Sequence, residues 1–180
     1  VEPVVQGAGG MRFHSPEWVL RDLASCLEHG IREVHVFDDI FNLDPRRVVR
    51  ICEGIKQQGL RLDWSFRGRV DRLDPAMLRA ARDTGCYRVY LGLESGSPSV
   101  LKAMGKSFAV DDIRKGVDAA RQAGLEVHGY FMLGFPGETA EERETTIELA
   151  LALPLDFAPF SVTTYLPGTR IYEDALARDA

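Results

Sequence analysis

The sequence predicts an α/β fold: a mostly parallel sheet with helices on its outside, curved into a partial TIM-like (β/α) barrel. Three observations carry this. Apolar, strand-like runs alternate with helical patterns at roughly 25–40 residues per unit. Four helices open on a Ser-Pro or Asp-Pro pair, at 15–16, 44–45, 74–75 and 97–98, a helix-start signal with proline in the first turn. Gly30, Gly59, Gly85 and Gly124 stand where helical patterns stop. Parallel strands need such crossovers, and the crossovers are right-handed.

The bulk numbers suit one folded domain. The chain has 180 residues, 45% hydrophobic and 27% charged, with a formal net charge of −5. An acidic balance without a basic run speaks against nucleic acid as a partner. No stretch is long and apolar enough for a membrane span, and no signal peptide stands at the start, so the expected location is the cytoplasm. The chain begins with Val1, which we read as a piece of a longer protein. Cys26, Cys52 and Cys86 are isolated, with no Cys-x-x-Cys pair. They read as reduced structural thiols.

Residues 1–14, with Pro3, Gly7, Gly9 and Gly10, read as a flexible leading segment, and residues 15–180 as the barrel. Ser15 caps a first helix, whose stripe is Trp18, Val19, Leu23 and Leu27. A strand over 31–37 stops at Asp38-Asp39. Asp44-Pro45 starts a helix to about 58, followed by a strand over 60–67. Asp74-Pro75 starts another to 84, then comes a strand over 87–93 of continuous apolar character. A short helix from Ser97-Pro98 fades at Gly105, and a longer one spans 111–123. The run 127–133 is the next strand, ending in Gly134-Phe135-Pro136-Gly137. A helix over 139–153, a strand over 157–165 and a terminal helix complete the order, five strands in all. Strands apolar on both faces imply helices outside and something filling the inside.

In such a sheet the strand-to-helix turns share the carboxyl edge, where ligands sit. That edge collects Asp38-Asp39, Arg67-Gly68-Arg69 with Asp71, Glu94-Ser95-Gly96-Ser97, Gly134 to Glu138, and Thr164 to Thr169. The opposite edge holds helix-stop glycines. Asp38-Asp39 also fits a cap for the next turn, and Arg67 with Asp71 a surface ion pair. Glu94 is sharper: a carboxylate ending an apolar strand is placed to accept hydrogen bonds from a diol or an ammonium. Gly134 and Gly137 either shape a turn or let backbone approach a flat ligand. His128 reads first as packing; His14, His29 and His35 lack partners at metal-binding spacing.

Taken together, these rim motifs resemble a radical S-adenosylmethionine (radical SAM) enzyme. The resemblance rests on Ser15-Pro16-Glu17, Phe37-Asp38-Asp39-Ile40-Phe41, Trp64-Ser65-Phe66-Arg67, Gly92 to Ser97, Leu101 to Lys106, Gly134 to Thr139 and Tyr165-Leu166-Pro167-Gly168-Thr169. It is closest to the cobalamin-domain branch typified by the anaerobic magnesium-protoporphyrin monomethyl ester oxidative cyclase. The resemblance implies a partial (β/α)6 barrel, here without its first strand. It also implies S-adenosylmethionine as cofactor, and a small-molecule substrate. A [4Fe–4S] cluster would belong to the intact parent only, since the Cys-x-x-x-Cys-x-x-Cys loop is absent from this sequence. Cobalamin would come through a separate domain of the same parent. The chain alone would then be inactive, with no catalytic or metal-binding residue of its own. It implies Glu94 with Ser95 at the ribose hydroxyls, Asp38 and Asp39 near the methionine amino group, and Lys106, assisted by Arg67, at its carboxylate. Tyr130, Leu133, Gly134, Phe135 and Pro136 would flank adenine, and the Tyr165-Leu166 backbone would read its edge. A cluster-less S-adenosylmethionine-binding module, a methylthiotransferase-type core and an ordinary (β/α) barrel are the competing readings.

Overall fold

The computed structural model describes residues 5–6 and 12–177. Val5–Gln6 (β1) pairs antiparallel with Arg12–Phe13 (β2), so the described part of the leading segment is a short ribbon. Gly7, Gly9, Gly10 and Pro3 lie outside the described residues. The segment just after the ribbon is tied down: His14 stacks on Trp18 at 3.8 Å, and its carbonyl accepts a 3.0 Å hydrogen bond from Arg47 Nε. Arg47 is 5% exposed, packed between the Phe13 and Phe41 rings.

The rest alternates helix and strand, except that two helices follow one another between the strands ending at Glu94 and starting at Glu126. The order is α1 (Pro16–Glu28), β3 (Glu33–Val36), α2 (Pro45–Gln57), β4 (Asp63–Gly68), α3 (Pro75–Asp83), β5 (Cys86–Glu94), α4 (Pro98–Ala103), α5 (Val110–Gln122), β6 (Glu126–Leu133), α6 (Ala140–Ala152), β7 (Phe160–Val162) and α7 (Arg170–Leu176). Strands β3 to β7 form one five-stranded sheet in chain order, every pair parallel. The helix starts follow the sequence closely. Ser15, Asp44, Asp74 and Ser97 each cap with their side chain, accepting from the backbone N–H of Trp18, of Arg46 and Arg47, of Met77 and of Val100. The four stop glycines are left-handed, with φ between 63° and 94°.

The helices cover one face. Val48, Ile51 and Ile55 of α2, Met77 and Leu78 of α3, and Ile113 and Val117 of α5 are all 2% exposed or less. They close over Trp64, Phe66, Val89, Leu91, Val127 and Phe131 in a single core. Burial of that apolar face is the main stabilising term.

Two expectations change. The outer strands are shorter than the runs 31–37 and 157–165 suggest, because β3 and β7 are edges with hydrogen-bonding neighbours on one side only. Phe157 keeps only an isolated bridge to His128. Nor are the strands apolar on both faces. Strand β5 alternates, with Val89, Leu91 and Leu93 fully buried and Arg88, Tyr90 and Glu94 half-buried on the other side. The concave face is therefore polar and aromatic, not an aliphatic filling.

Candidate functional site

At the carboxyl edge of β4, β5 and β6 lies a cleft of about 330 Å³. Asp39, Arg67, Gly92, Glu94, Tyr130 and Met132 line it. A larger groove, about 820 Å³, runs outside the barrel between the starts of α2 and α3. Its lining is solvent-facing helix surface, with Asp44 and Asp74 already engaged as caps. The smaller cleft is the one that gathers the rim.

Glu94 is its centre. The register between β5 and β6 slips between Gly92 and Glu94. The Ser95 N–H donates to the Leu93 carbonyl at 2.9 Å, closing a three-residue turn with Glu94 at the apex. There Glu94 adopts φ 65°, and it is the one non-glycine residue with positive φ among the described residues. Turns of this kind are rare and strained, and strain of about 1–3 kcal/mol persists only where the surroundings impose it. The carboxylate folds back over Gly92, where a Cβ would stand 2.7 Å from Oε1. Lys106 Nζ meets Oε1 at 2.6 Å, with the two side chains 33% and 14% exposed. Lys106 lies in the loop after α4, not on a helix.

The turn is bolted from behind by α6. Thr146 Oγ1 is 3.0 Å from Ser95 Oγ and accepts from the Gly96 N–H at 3.0 Å, while donating to the Glu142 carbonyl at 3.0 Å. Ser97 Oγ donates to Glu142 Oε1 at 2.9 Å. Hydrogen bonds led by Ser99, then the Thr139 backbone, hold Glu142 below the usual carboxylate range. Ser95 is 0% exposed and its hydroxyl is engaged by Thr146 and by the Ser97 N–H. It shapes the turn and does not line the cleft.

The other rim residues divide. Arg67 stacks on Phe37, 4.2 Å from the ring centroid. Asp71 pairs with Arg69 at 2.8 Å, which corrects the Arg67–Asp71 pairing that the sequence allowed. That bond holds Asp71 low and Arg69 high in pKa. Asp39 reaches the cleft; Asp38 is exposed, its charge felt by Arg47. Tyr130 and Met132 line the cleft, so the pleat puts Leu133 on the opposite face. Gly134 (φ 77°) gives its N–H to the Glu138 carboxylate. Phe135 to Glu138 close a turn through the Glu138 N–H and Phe135 carbonyl at 2.9 Å, with Pro136 then Gly137 (φ 87°) at its centre, the type II arrangement. Pro136 meets Tyr165 in a separate cleft of about 40 Å³. The Leu166 carbonyl is engaged within its own turn, by the Thr169 N–H and hydroxyl.

Sequence reasoning missed Asn42 and Thr146. Asn42 is 0% exposed; its amide donates to the Arg69 and Arg72 carbonyls at 2.9 and 3.0 Å and accepts from the Arg69 N–H at 2.8 Å. It fixes the turn that follows Arg67. No local pattern marks it, since its partners lie about one supersecondary unit away. Thr146 follows the Thr139–Glu142 capping box by one helical turn, which is the signal that was there to use.

The three cysteines stay apart from this rim. Cys52 and Cys86 are buried in the core, and burial pushes the Cys52 thiol up to about 11 and that of Cys86 higher still. Cys26 sits on α1. No group of three His, Cys, Asp or Glu among the described residues could hold a metal ion.

A curved parallel sheet in chain order, with an acid, a base and an aromatic ring at its carboxyl edge, defines a class: partial (β/α) barrels built to hold a small ligand above the strands. The profile of the radical SAM superfamily matches residues 4–150, and the chain belongs to that superfamily. It is 39% identical over 169 residues to an uncharacterised methyltransferase of Pyrococcus horikoshii, covering 93% of this chain and 37% of that protein. It is 24% identical over 168 residues to the anaerobic magnesium-protoporphyrin IX monomethyl ester cyclase of Cereibacter sphaeroides, covering 91% of this chain and 28% of that protein. Among solved structures, the radical S-adenosylmethionine methyltransferase TsrM from Kitasatospora setae, with cobalamin and a [4Fe–4S] cluster bound, superposes with a TM-score of 0.78 at 21% identity. That match covers 85% of this chain and 32% of TsrM. The chain thus spans about two-fifths or less of the relatives it matches.

Proposed function

We propose that this chain is the S-adenosylmethionine-holding part of a radical SAM enzyme's barrel, and that the cleft at Glu94 is the cofactor site. The observation that supports it is Glu94 itself: a carboxylate kept in a strained turn, aimed into the cleft and paired with a flexible lysine. The donor set suits the cofactor. Glu94 accepts from the two ribose hydroxyls, Lys106 and Arg67 offer cations to the carboxylate, and Asp39 offers an acceptor to the ammonium. Tyr130 supplies a ring face beside the sheet edge, and Gly92 leaves the space a side chain would fill.

Glu94, Lys106, Arg67 and Asp39 would hold S-adenosylmethionine, and a [4Fe–4S] cluster of the intact parent would supply the electron for its reductive cleavage. The described residues do not fit the cluster itself. Its iron needs thiolates, and burial keeps Cys52 and Cys86 protonated under the helices. The work of this chain is to bind and orient the cofactor; other residues of the parent ligate iron, and a cobalamin domain joins them as in the relatives of that branch.

Isothermal titration of the full-length protein with S-adenosylmethionine tests this. Glu94→Ala weakens binding by about 1–3 kcal/mol, the worth of a charged hydrogen-bonding group. Unchanged affinity removes Glu94 from the site.

A further inference from the structure

The cofactor reading needs a cation at a fixed place, yet Lys106 stands in the loop between α4 and α5. A lysine's reach is set by where its backbone is held. From behind, that backbone is secured. The Gly105 N–H donates to the Lys102 carbonyl at 3.0 Å and the Lys106 N–H to the Leu101 carbonyl at 2.9 Å, with Gly105 left-handed at φ 72°. This is the Schellman close of α4, with Gly105 and Lys106 as the two residues past its cap. Ahead of Lys106 the support stops. Ser107 and Phe108 make no backbone–backbone hydrogen bond among the described residues, so their side chains must hold this stretch.

Arg69 supplies the missing support. Its Nη2 donates to Ser107 Oγ at 2.6 Å, and its guanidinium carbon lies 5.8 Å from the centre of the buried Phe108 ring. The same guanidinium is forked onto Asp71, Nε to Oδ1 at 2.9 Å and Nη2 to Oδ2 at 2.8 Å. Asp71 thus neutralises it, and Arg69 is not among the residues that line the cleft. Its backbone is fixed as well. Asn42 accepts from the Arg69 N–H and donates to the Arg69 carbonyl. Behind the next residue, Gly116 of α5 packs so closely that an added Cβ would stand 2.4 Å from the Val70 carbonyl oxygen. A planar fork with its backbone clamped and its charge already matched is a bracket, not a ligand. It spans from the turn after β4 to the loop that carries the lysine.

We propose that Arg69 is a positioning residue: it latches the loop through Ser107 and Phe108, and so fixes where Lys106 presents its ammonium in the cleft. The inference rests on the cofactor reading and deepens it, because the grip on the methionine carboxylate becomes the work of a residue that never touches the cofactor. Its consequence is selective. The turn of Glu94 is held separately, by α6. Loss of the latch therefore loosens the hold on the amino-acid end of the cofactor and leaves the nucleoside end as it was.

The test is isothermal titration of the full-length protein with S-adenosylmethionine and with 5′-methylthioadenosine, which keeps the nucleoside and lacks the amino-acid end. Arg69→Gln should lower the affinity for S-adenosylmethionine by roughly three- to tenfold, the size of one net hydrogen bond, and leave that for 5′-methylthioadenosine within about twofold. In a Lys106→Met background the same change should weaken S-adenosylmethionine binding by less than about twofold further, because a latch acts only through the lysine. Should Arg69→Gln not fold, Ser107→Ala at an exposed position carries the same expectations. Equal loss of both ligands, full additivity with Lys106→Met, or an unchanged affinity for S-adenosylmethionine overturns the proposal. Glu94→Ala in parallel separates the two readings. If it moves neither ligand, the cofactor site is misplaced and the latch falls with it; if it weakens both while Arg69→Gln weakens neither, the latch alone is wrong.

Discussion

Glu94 sits where a glycine would relieve the backbone. Its φ of 65° costs about 1–3 kcal/mol, and the Lys106 pair, partly exposed, returns about 0–1 kcal/mol. Glu94→Gly should therefore leave stability in urea within about 1 kcal/mol of the parent, because relief of strain offsets the lost pair and the freer unfolded chain. Its affinity for S-adenosylmethionine should fall as far as that of Glu94→Ala. Gly92→Ala makes the complementary case. The added Cβ stands 2.7 Å from Glu94 Oε1, so the carboxylate must move, and affinity should drop with the acid still present. Titration of both variants beside urea melts checks the pair. The importance of Glu94 was legible, since an acid closing an apolar run is conspicuous. Its strain was not, because φ there is imposed by the slipped register with β6 and by contacts from a helix some fifty residues on.

Among elements, α6 decides whether that turn exists. Thr146 is fully buried and serves Ser95, Gly96 and the Glu142 carbonyl with one hydroxyl. Thr146→Val keeps the shape and strands the Gly96 N–H without a partner. A loss of about 1–3 kcal/mol in urea unfolding is expected, with weaker S-adenosylmethionine binding although no cofactor contact is touched. The helices themselves were readable because Pro at the first turn and Gly past the last are local signals. Strand limits were less so: how far β3 and β7 extend depends on pairing with a neighbour, which a run of apolar residues does not encode. The polar concave face was hidden for a related reason. Arg88, Tyr90 and His128 sit among apolar neighbours in sequence, and only the pleat sorts them to one side.

For the molecule as a whole, the thiols mark where the chemistry is not. Cys52 and Cys86 lie in the core, remote from the rim and held protonated by burial, whereas Cys26 is partly exposed on α1. Native-state alkylation at neutral pH, read by mass spectrometry, should therefore label Cys26 first and reach Cys52 and Cys86 only on unfolding; rapid labelling of either buried thiol would contradict this packing. Strand order has a different kind of consequence. Each of the strands β4 to β7 lies beside the one made just before it. From β4 on, each βα unit thus meets its hydrogen-bonding partner as soon as it leaves the ribosome, and among the described residues none of these strands waits for a distant one to be translated. The barrel wall can be laid down vectorially, one stave at a time, with each new stave covering the open edge left by the last.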